Sequence, residues 1–430
     1  MNIAQIEQLI QKIKQRSITI SILGLGRVGL PLASVFASKG VKVIGIDVNE
    51  YRLKSIRDSK CPFFDPALQE NLEKSMKLGT LEVENSLTKV VNQADIIFLT
   101  VGTPTNDNTV DYSQLYSALN ELVTVNIAGK MIILRSTLPP KTTVDIVIPF
   151  LELNTSLIAG EDFGVAMCPE RILEGKAVKE LFELPEIIGG INDTCNKIVT
   201  ELFKIINPEK QFLYTSPSGA ELAKLFTNIY RYISFALSNE FAIWAETYGL
   251  DAAELIKIAN HNYPRSNIPI PGFVGGPCLS KDGTFLDNNT TFSSIVSASW
   301  KLNESIPQHI TNTIKNISGK LFNKKISVLG LSFKSGSDDL RNSPSVKLTE
   351  ILSSTGAKIS IHDPYVKDTL TLEQVLDSPD IVIIATNHSE FKNIAPMINK
   401  CNPQLIYDVW SIFKENDFPN IKYIRFGKGL

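Results

Sequence analysis

One cysteine sits in the most chemically suggestive setting of the chain. From Pro271 to Lys281 the sequence reads PGFVGGPCLSK, and Asp282 follows. A thiol is nucleophilic only as its thiolate, and a neighbouring cation such as Lys281 favours that form. Glycines let backbone approach a bound ligand without a side chain in the way. Cys278 therefore reads as a nucleophile that forms a covalent intermediate, or as a small buried hydrophobe beside a turn, the ordinary fate of a free cysteine. Residues elsewhere must separate the two readings.

A lysine supplies the next clue. Ser218 to Tyr248, SGAELAKLFTNIYRYISFALSNEFAIWAETY, is a long and mostly apolar helical stretch. Ser218 is expected to cap it, with Glu221 three residues on as in a capping box, and Gly249 to end it. Lys224 and Asn228 are spaced i, i+4 and so share one face, a turn apart. A lysine in apolar surroundings is costly unless its charge is used. A helix this long and apolar over more than one face must be covered by two domains or by another subunit.

The N-terminal half has the pattern that positions a nucleotide. Ile18–Leu23 reads as a buried strand that runs into Gly24-Leu25-Gly26-Arg27-Val28-Gly29, followed by a helical stretch to Lys39 that stops at Gly40. A second strand, Val41–Asp47, ends in an acid 18 positions after Gly29. A lone GxGxxG is weak evidence, but strand, turn, helix and acid together are the context of a dinucleotide fingerprint. The helix N-terminus would receive the pyrophosphate, and Asp47 the ribose diol. A carboxylate there repels a 2'-phosphate, which favours NAD; Arg52 keeps an NADP reading open. Further strands, Ala94–Val101 and Met131–Thr137, end at Thr103, Ser136 and Thr137, candidates to touch the cofactor or to cap the next helices. Gly164–Cys168 then leads into PERILEG, where Glu170 and Glu174 bracket a loop.

The same alternation returns after a helical connector around Ile295–Ile317. Lys325–Ser332, Ala357–Asp363, Asp380–Thr386 and Gln404–Asp408 parallel the strands of the first unit, but the turn has lost its GxGxxG. It carries Lys334, Asp338, Asp339 and Arg341 instead, suited to a different phosphorylated ligand or to a solvated loop. The fold class expected is therefore α/β: two Rossmann-like doubly wound domains joined by a central helical segment with one long helix.

Composition sets the surroundings. With 430 residues, 43% hydrophobic, 20% charged and a formal net charge of -2, the chain has the balance of a soluble globular protein. Nothing in it asks for nucleic acid or a membrane surface. Its five cysteines, Cys61, Cys168, Cys195, Cys278 and Cys401, are odd in number and scattered, with no C-x-x-C pair. That argues for a reducing, cytoplasmic setting and against disulfides or a bound metal. The first 17 residues carry Ile3, Ile6, Leu9, Ile10 and Ile13 at helical spacing, an amphipathic extension rather than a signal peptide or a membrane span.

Taken in order, GLGRVGLP, VGTP, RSTLPP, PERILEG, ELAKLFTN, PGFVGGPCLSKD and GLSFKSGSDDLRNSP resemble the nucleotide-sugar 6-dehydrogenases of the UDP-glucose/UDP-N-acetylmannosamine dehydrogenase family. The resemblance spans nearly the whole chain apart from the N-terminal helix. It implies four parts: the helix at 1–17, an NAD-binding Rossmann domain at 18–213, a central helical and dimerisation segment with the cysteine loop at 214–318, and a Rossmann-like UDP-binding domain at 319–430. It also implies oxidation of a UDP-sugar C6 alcohol to a carboxylate with two NAD in succession, a role in polysaccharide precursor synthesis, and a homodimer through the central helix.

By the same resemblance, Lys224 and Asp282 serve as base for the first oxidation, Cys278 attacks the aldehyde, and Lys224 and Asn228 stabilise the oxyanion. Glu170, helped by Thr137, activates the hydrolytic water. Glu174 and Arg341 meet the cofactor, while Lys334, Arg171, Arg265, Gly272, Phe273 and Gly275 meet the substrate. Asn262-Tyr-Pro-Arg265 is similar to the N-x-x-P-R segment of enzymes acting on UDP-N-acetylhexosamines, one residue shorter. That favours UDP-N-acetyl-D-mannosamine over its glucosamine epimer and UDP-glucose. Leu279, Ser280 and Gly283 depart from the commonest residues of either branch. Two rivals make fewer demands: a single-step hydroxyacid dehydrogenase needs neither Cys278 nor the second α/β unit, and a non-catalytic nucleotide-sugar binding protein predicts a missing catalytic member.

Overall fold

A computed structural model describes residues 3–86, 88, 90–106, 109–277, 279–287 and 294–429. Cys278 lies outside the described residues, as does the side chain of Ser280. The chain divides into two compact units, Met1–Thr227 with Thr284–Asn289, and Asn228–Gly283 with Thr290–Leu430.

The first unit is built on strands β1 (Thr19–Leu23), β2 (Lys42–Ile46), β3 (Leu81–Glu84), β4 (Ile96–Leu99), a short ribbon of β5 (Thr105–Asn106) and β6 (Thr109–Val110), then β7 (Met131–Leu134), β8 (Gly164–Met167), β9 (Glu186–Gly190) and β10 (Phe212–Tyr214). The large sheet runs β10-β9-β8-β7-β4-β1-β2-β3, and only β8 and β9 pair antiparallel. Its strands read as unbroken apolar runs because both faces are covered. Ile96, Phe98, Met131 and Ile133 point into one core, while Ile97, Leu99, Ile132 and Leu134 point into the other. Each such side chain, fully buried, contributes about 1.5–3 kcal/mol.

The N-terminal helix Ile3–Gln15 is part of the first core. Leu9, Ile10 and Ile13 are buried in the same cluster as Ile198, Val199 and Leu202 of the helix Asp193–Lys204. Lys12 Nζ lies 2.8 Å from Asp95 Oδ1, whose other oxygen accepts the Thr19 N–H at 2.9 Å.

The second unit carries β11 (Lys325–Leu329), β12 (Lys358–His362), β13 (Ile381–Ile384), β14 (Leu405–Asp408) and β15 (Lys422–Arg425), all parallel in the order β12-β11-β13-β14-β15. The internal repeat is present down to its hydrogen bonds. Asp380 accepts the Lys325 N–H at 2.8 Å, as Asp95 does that of Thr19. Gly330, with φ +94°, ends β11 as Gly24, with φ +96°, ends β1.

The long helix spans Pro217–Thr247. Its cap differs from the sequence expectation: Ser216 Oγ accepts the Gly219 N–H at 3.1 Å, so Ser218 lies inside the first turn. Pro217 explains the shift, since a proline at the first helical position has no N–H to satisfy and its φ is already helical. Glu221 forms no capping box; it accepts Lys141 N–H at 2.6 Å, Thr143 N–H at 2.8 Å and Thr143 Oγ1–H at 2.6 Å. Gly249, at φ +68°, follows the helix end as expected. Tyr230, Leu237 and Trp244, spaced seven apart along this helix, are exposed, as is Tyr248 just beyond its end. Among the described residues no helix is long and apolar enough to cross a membrane.

Candidate active site

The turn after β1 assigns each fingerprint glycine a separate task. A Cβ on Gly24 would lie 2.8 Å from the Thr100 carbonyl oxygen, and one on Gly29 only 1.9 Å from the Gly24 oxygen. Both positions are closed by the protein's own backbone. A Cβ on Gly26 would meet nothing within 4 Å, so this glycine keeps open the space before the N-terminus of the helix Gly29–Ser38. That arrangement fits a dinucleotide pyrophosphate.

Asp47 closes β2 where a ribose-binding acid belongs. Its Oδ2 accepts the Leu25 N–H at 2.7 Å, and its Oδ1 the Asn49 N–H at 2.9 Å. Arg52 reaches the same Oδ2 at 2.6 Å, so the cation that kept an NADP reading open is paired with the acid itself. Leu25 is fully buried and offers the site its backbone. Val28 directly precedes the helix, and the Arg27 guanidinium lies 4.8 Å over the Phe63 ring and 3.7 Å from Glu174.

The hydroxyls at the strand ends are not helix caps. Thr103 Oγ1 donates to the Thr137 carbonyl at 2.7 Å, and Ser136 Oγ to the Val101 carbonyl at 2.6 Å. They tie the loop after β4 to the loop after β7, at the carboxyl edge of the sheet.

Glu170 is held in a buried ion cluster. Arg135 Nε donates to its Oε2 at 2.6 Å, while its Oε1 accepts the N–H groups of Arg171 at 2.7 Å and Ile172 at 3.0 Å. The same guanidinium donates through NH1 to Glu186 Oε1 at 2.8 Å, and Lys210 Nζ stands 3.8 Å from Glu186 Oε2. Burial pushes the Glu170 carboxyl up, but Arg135 and the two backbone N–H groups outweigh it and hold it below the usual glutamate range. Burial raises Glu186, which receives no comparable set of donors. The Arg171 side chain is turned onto the Pro185 carbonyl. Glu186 and Lys210 were missed in the sequence; the available signal was a charged residue opening the otherwise apolar strand Glu186–Gly190, which a buried strand tolerates only with a partner.

In the second unit the structure joins two predicted residues: Asn228 Nδ2 donates to Asp282 Oδ2 at 2.6 Å. Lys281 Nζ takes the other oxygen at 3.1 Å, so this lysine is directed at the carboxylate. Asp282 is fully buried; Lys224, which belongs to the first unit, is buried as well.

The glycines of PGFVGG lie hard against neighbouring protein groups. Cβ atoms on Gly272, Gly275 and Gly276 would strike the Trp410 ring at 2.8 Å, the Asn342 oxygen at 2.4 Å and the Phe333 ring at 2.7 Å. Packing within the unit leaves no room for a side chain at these positions. Gly272 N–H is fixed on Asn239 at 2.9 Å, and Phe273 is buried. The Arg265 guanidinium lies 4.6 Å over the Tyr263 ring, its Nε donating to the Tyr263 hydroxyl at 3.0 Å.

The repeat's second turn is also re-used. Asp363, the counterpart of Asp47, accepts Leu331 and Ser332 N–H groups at 2.7 and 2.9 Å and lies 3.1 Å from His388 Nε2. Although burial pushes this carboxyl up, His388 and the backbone N–H groups bring it down to about 2. Arg341 is bound to Asp339 at 2.6–3.1 Å, and Lys334 lies 5.5 Å from the Phe333 ring.

A dinucleotide turn in one unit and a remodelled copy of it in another define an NAD-linked protein with a second nucleotide-type domain. Comparison with known proteins carries this to the family. Residues 18–207 match the NAD binding domain of the UDP-glucose/GDP-mannose dehydrogenase family, residues 218–306 its central domain, and residues 327–415 its UDP binding domain. The UDP-N-acetyl-D-mannosamine dehydrogenase of Pyrococcus horikoshii is 34% identical over 419 residues, 95% of this chain and 99% of the relative. That of Campylobacter jejuni is 31% identical over 397 residues, 86% of this chain and 96% of the relative. A solved structure of the P. horikoshii UDP-D-ManNAc dehydrogenase superposes with a TM-score of 0.89 at 33% identity, covering 96% of this chain and all of that one. The Staphylococcus aureus UDP-N-acetyl-mannosamine dehydrogenase superposes at 0.86 and 30%, covering 95% and 98%. The chain belongs to the UDP-glucose/GDP-mannose dehydrogenase family. It is an NAD-dependent UDP-sugar dehydrogenase, an oxidoreductase.

Proposed function

We propose that the chain oxidises the C6 alcohol of UDP-N-acetyl-D-mannosamine to the carboxylate through a thioester on Cys278. The observation that carries this reading is the similarity to relatives of that activity over nearly the full length of both chains. A dinucleotide held at the Gly24–Gly29 turn and Asp47 would supply the hydride acceptor for each of the two oxidations. Asp282 with Lys224, through a water, takes the hydroxyl proton as the aldehyde forms. Cys278 thiolate adds to the aldehyde carbon, and the oxyanion is stabilised by Lys224 and Asn228, one turn apart on the long helix, before it is protonated to the thiohemiacetal. Loss of that hydroxyl proton to the same base, with the second hydride, leaves the thioester. Water then adds, Glu170 takes its proton, the C–S bond breaks and the thiolate leaves. The sum is one alcohol and one water to one carboxylate, with two hydrides transferred and three protons released.

Gly24, Leu25, Gly26, Arg27, Val28, Gly29, Asp47, Arg52, Thr103, Ser136, Thr137, Glu174 and Arg341 serve the cofactor, and Thr137 also helps hold the hydrolytic water. Arg171, Arg265, Gly272, Phe273, Gly275 and Lys334 serve the sugar nucleotide. The exposed Tyr230, Leu237, Trp244 and Tyr248 support a homodimer through the long helix, which a monomeric mass in light scattering would refute. Cys168, Cys195 and Cys401 are free thiols, which supports a cytoplasmic setting. The substrate is tested by initial rates with NAD and UDP-N-acetyl-D-mannosamine, UDP-N-acetyl-D-glucosamine or UDP-glucose. The highest kcat/KM is expected for the first; a higher value for UDP-glucose would overturn the assignment.

A further inference from the structure

We infer that Arg135, anchored by Glu186 and Lys210, is a positioning residue that fixes the Glu170 carboxylate for hydrolysis of the acyl-enzyme. The inference rests on the proposed role of Glu170 and adds the group that makes that role possible.

The cluster is built as a unit. Arg135 is fully buried, and Glu170 and Glu186 nearly so, with side-chain exposures of 2%, 8% and 5%. Lys210 is buried, and its ammonium is tethered to the Leu181 carbonyl at 2.6 Å. Two cations and two carboxylates sum to zero, so the set is internally neutral, which offsets the cost of its burial. The guanidinium is a rigid fork: Nε holds Glu170 while NH1 holds Glu186 and, at 3.2 Å, the Cys168 carbonyl. Glu186 therefore fixes where the fork points, and the fork fixes Glu170.

The consequence for chemistry lies in the acceptor count. An ionised carboxylate offers about four acceptor positions. On Glu170 the N–H groups of Arg171 and Ile172 fill two on Oε1, and Arg135 fills one on Oε2. One direction on Oε2 remains for a water, and three donors hold it still. The carboxylate is also kept ionised, ready to accept a proton. Its charged and titratable surroundings are Arg135, Arg171, Cys168, Glu180, Glu186 and Lys210. None of the last three carries a role in the oxidation steps.

The test compares Arg135→Lys, which keeps the charge and loses the fork, with Glu186→Gln and Glu170→Gln. Each is assayed with NAD and UDP-N-acetyl-D-mannosamine, together with intact-protein mass after quenching and a pH profile of thioester hydrolysis. A general base contributes about 10²–10⁴-fold, so kcat is expected to fall at least about tenfold in Arg135→Lys and Glu186→Gln, with KM moved less than about twofold. A UDP-uronyl adduct should accumulate on the protein, and the acid limb of hydrolysis in Arg135→Lys should shift. Should Arg135→Lys fail to fold, Glu186→Gln, of nearly the same shape, decides. Accumulation of the thioester in Glu170→Gln but not in the other two overturns this inference and leaves the role of Glu170 standing. Wild-type hydrolysis in Glu170→Gln overturns both.

Discussion

The Asn228 amide donates to Asp282 Oδ2 at 2.6 Å while Lys281 holds Asp282 Oδ1 at 3.1 Å, so one buried carboxylate fixes both the amide and a neighbouring ammonium. Asp282→Asn keeps size and an acceptor oxygen but removes the negative charge, and with it the proposed base. The fold should survive, with a melting temperature within a few degrees, while kcat falls by roughly 10²–10⁴-fold. NADH formation at saturating substrate measures this, and turnover within tenfold of wild type would remove Asp282 from the base.

Two glycines make opposite predictions. Gly26→Ala adds a methyl where no protein atom lies within 4 Å, so unfolding should be little changed while KM for NAD rises about tenfold or more. Gly275→Ala puts a Cβ 2.4 Å from both the Asn342 oxygen and Pro344, and should cost on the order of 1–3 kcal/mol. Thermal unfolding and NAD titration of both variants separate a ligand-facing glycine from a packing one.

Glu221 predicts a pH slope. Burial raises its carboxyl to about 7 despite the donors on Lys141 and Thr143. A carboxyl whose folded value lies above its unfolded one, about 4.3, gives stability that is full below the unfolded value and is lost as pH rises through about 7. Wild-type stability should therefore carry a falling component between pH 5 and 8 that Glu221→Gln abolishes. The substitution disturbs the Lys141 hydrogen bond at every pH, so the slope is the readout and the level is not. Urea unfolding at the two pH values, with parallel slopes in both proteins, would refute the assignment.

The N-terminal helix should be needed for the first unit's stability. Ile13 is fully buried against the helix Asp193–Lys204. Ile13→Ala should cost about 2–5 kcal/mol, with NADH turnover per folded molecule unchanged. A urea midpoint equal to wild type would show that the helix is dispensable.

Local pattern carried much of the fold. Ile18–Leu23 and Lys325–Ser332 show their strands because both faces of each sheet are covered, and the acids Asp47 and Asp363 mark equivalent strand ends. Features that depend on distant partners were not readable. Arg135 meets Glu186 across 51 positions and Glu170 across 35, so the ion cluster left only the trace of a charged residue opening a buried strand. The cap fell to Ser216 because Pro217 outcompetes Ser218 for setting the helix start. The glycines of PGFVGG signal close approach, but sequence has no means of showing that Trp410, Asn342 and Phe333 lie against them.

A four-electron oxidation carried by one thiol predicts a fixed yield of NADH. Purified protein given excess NAD and a limiting, weighed amount of UDP-N-acetyl-D-mannosamine should form two NADH per sugar consumed. One NADH per sugar, with free aldehyde as product, would contradict the thioester mechanism.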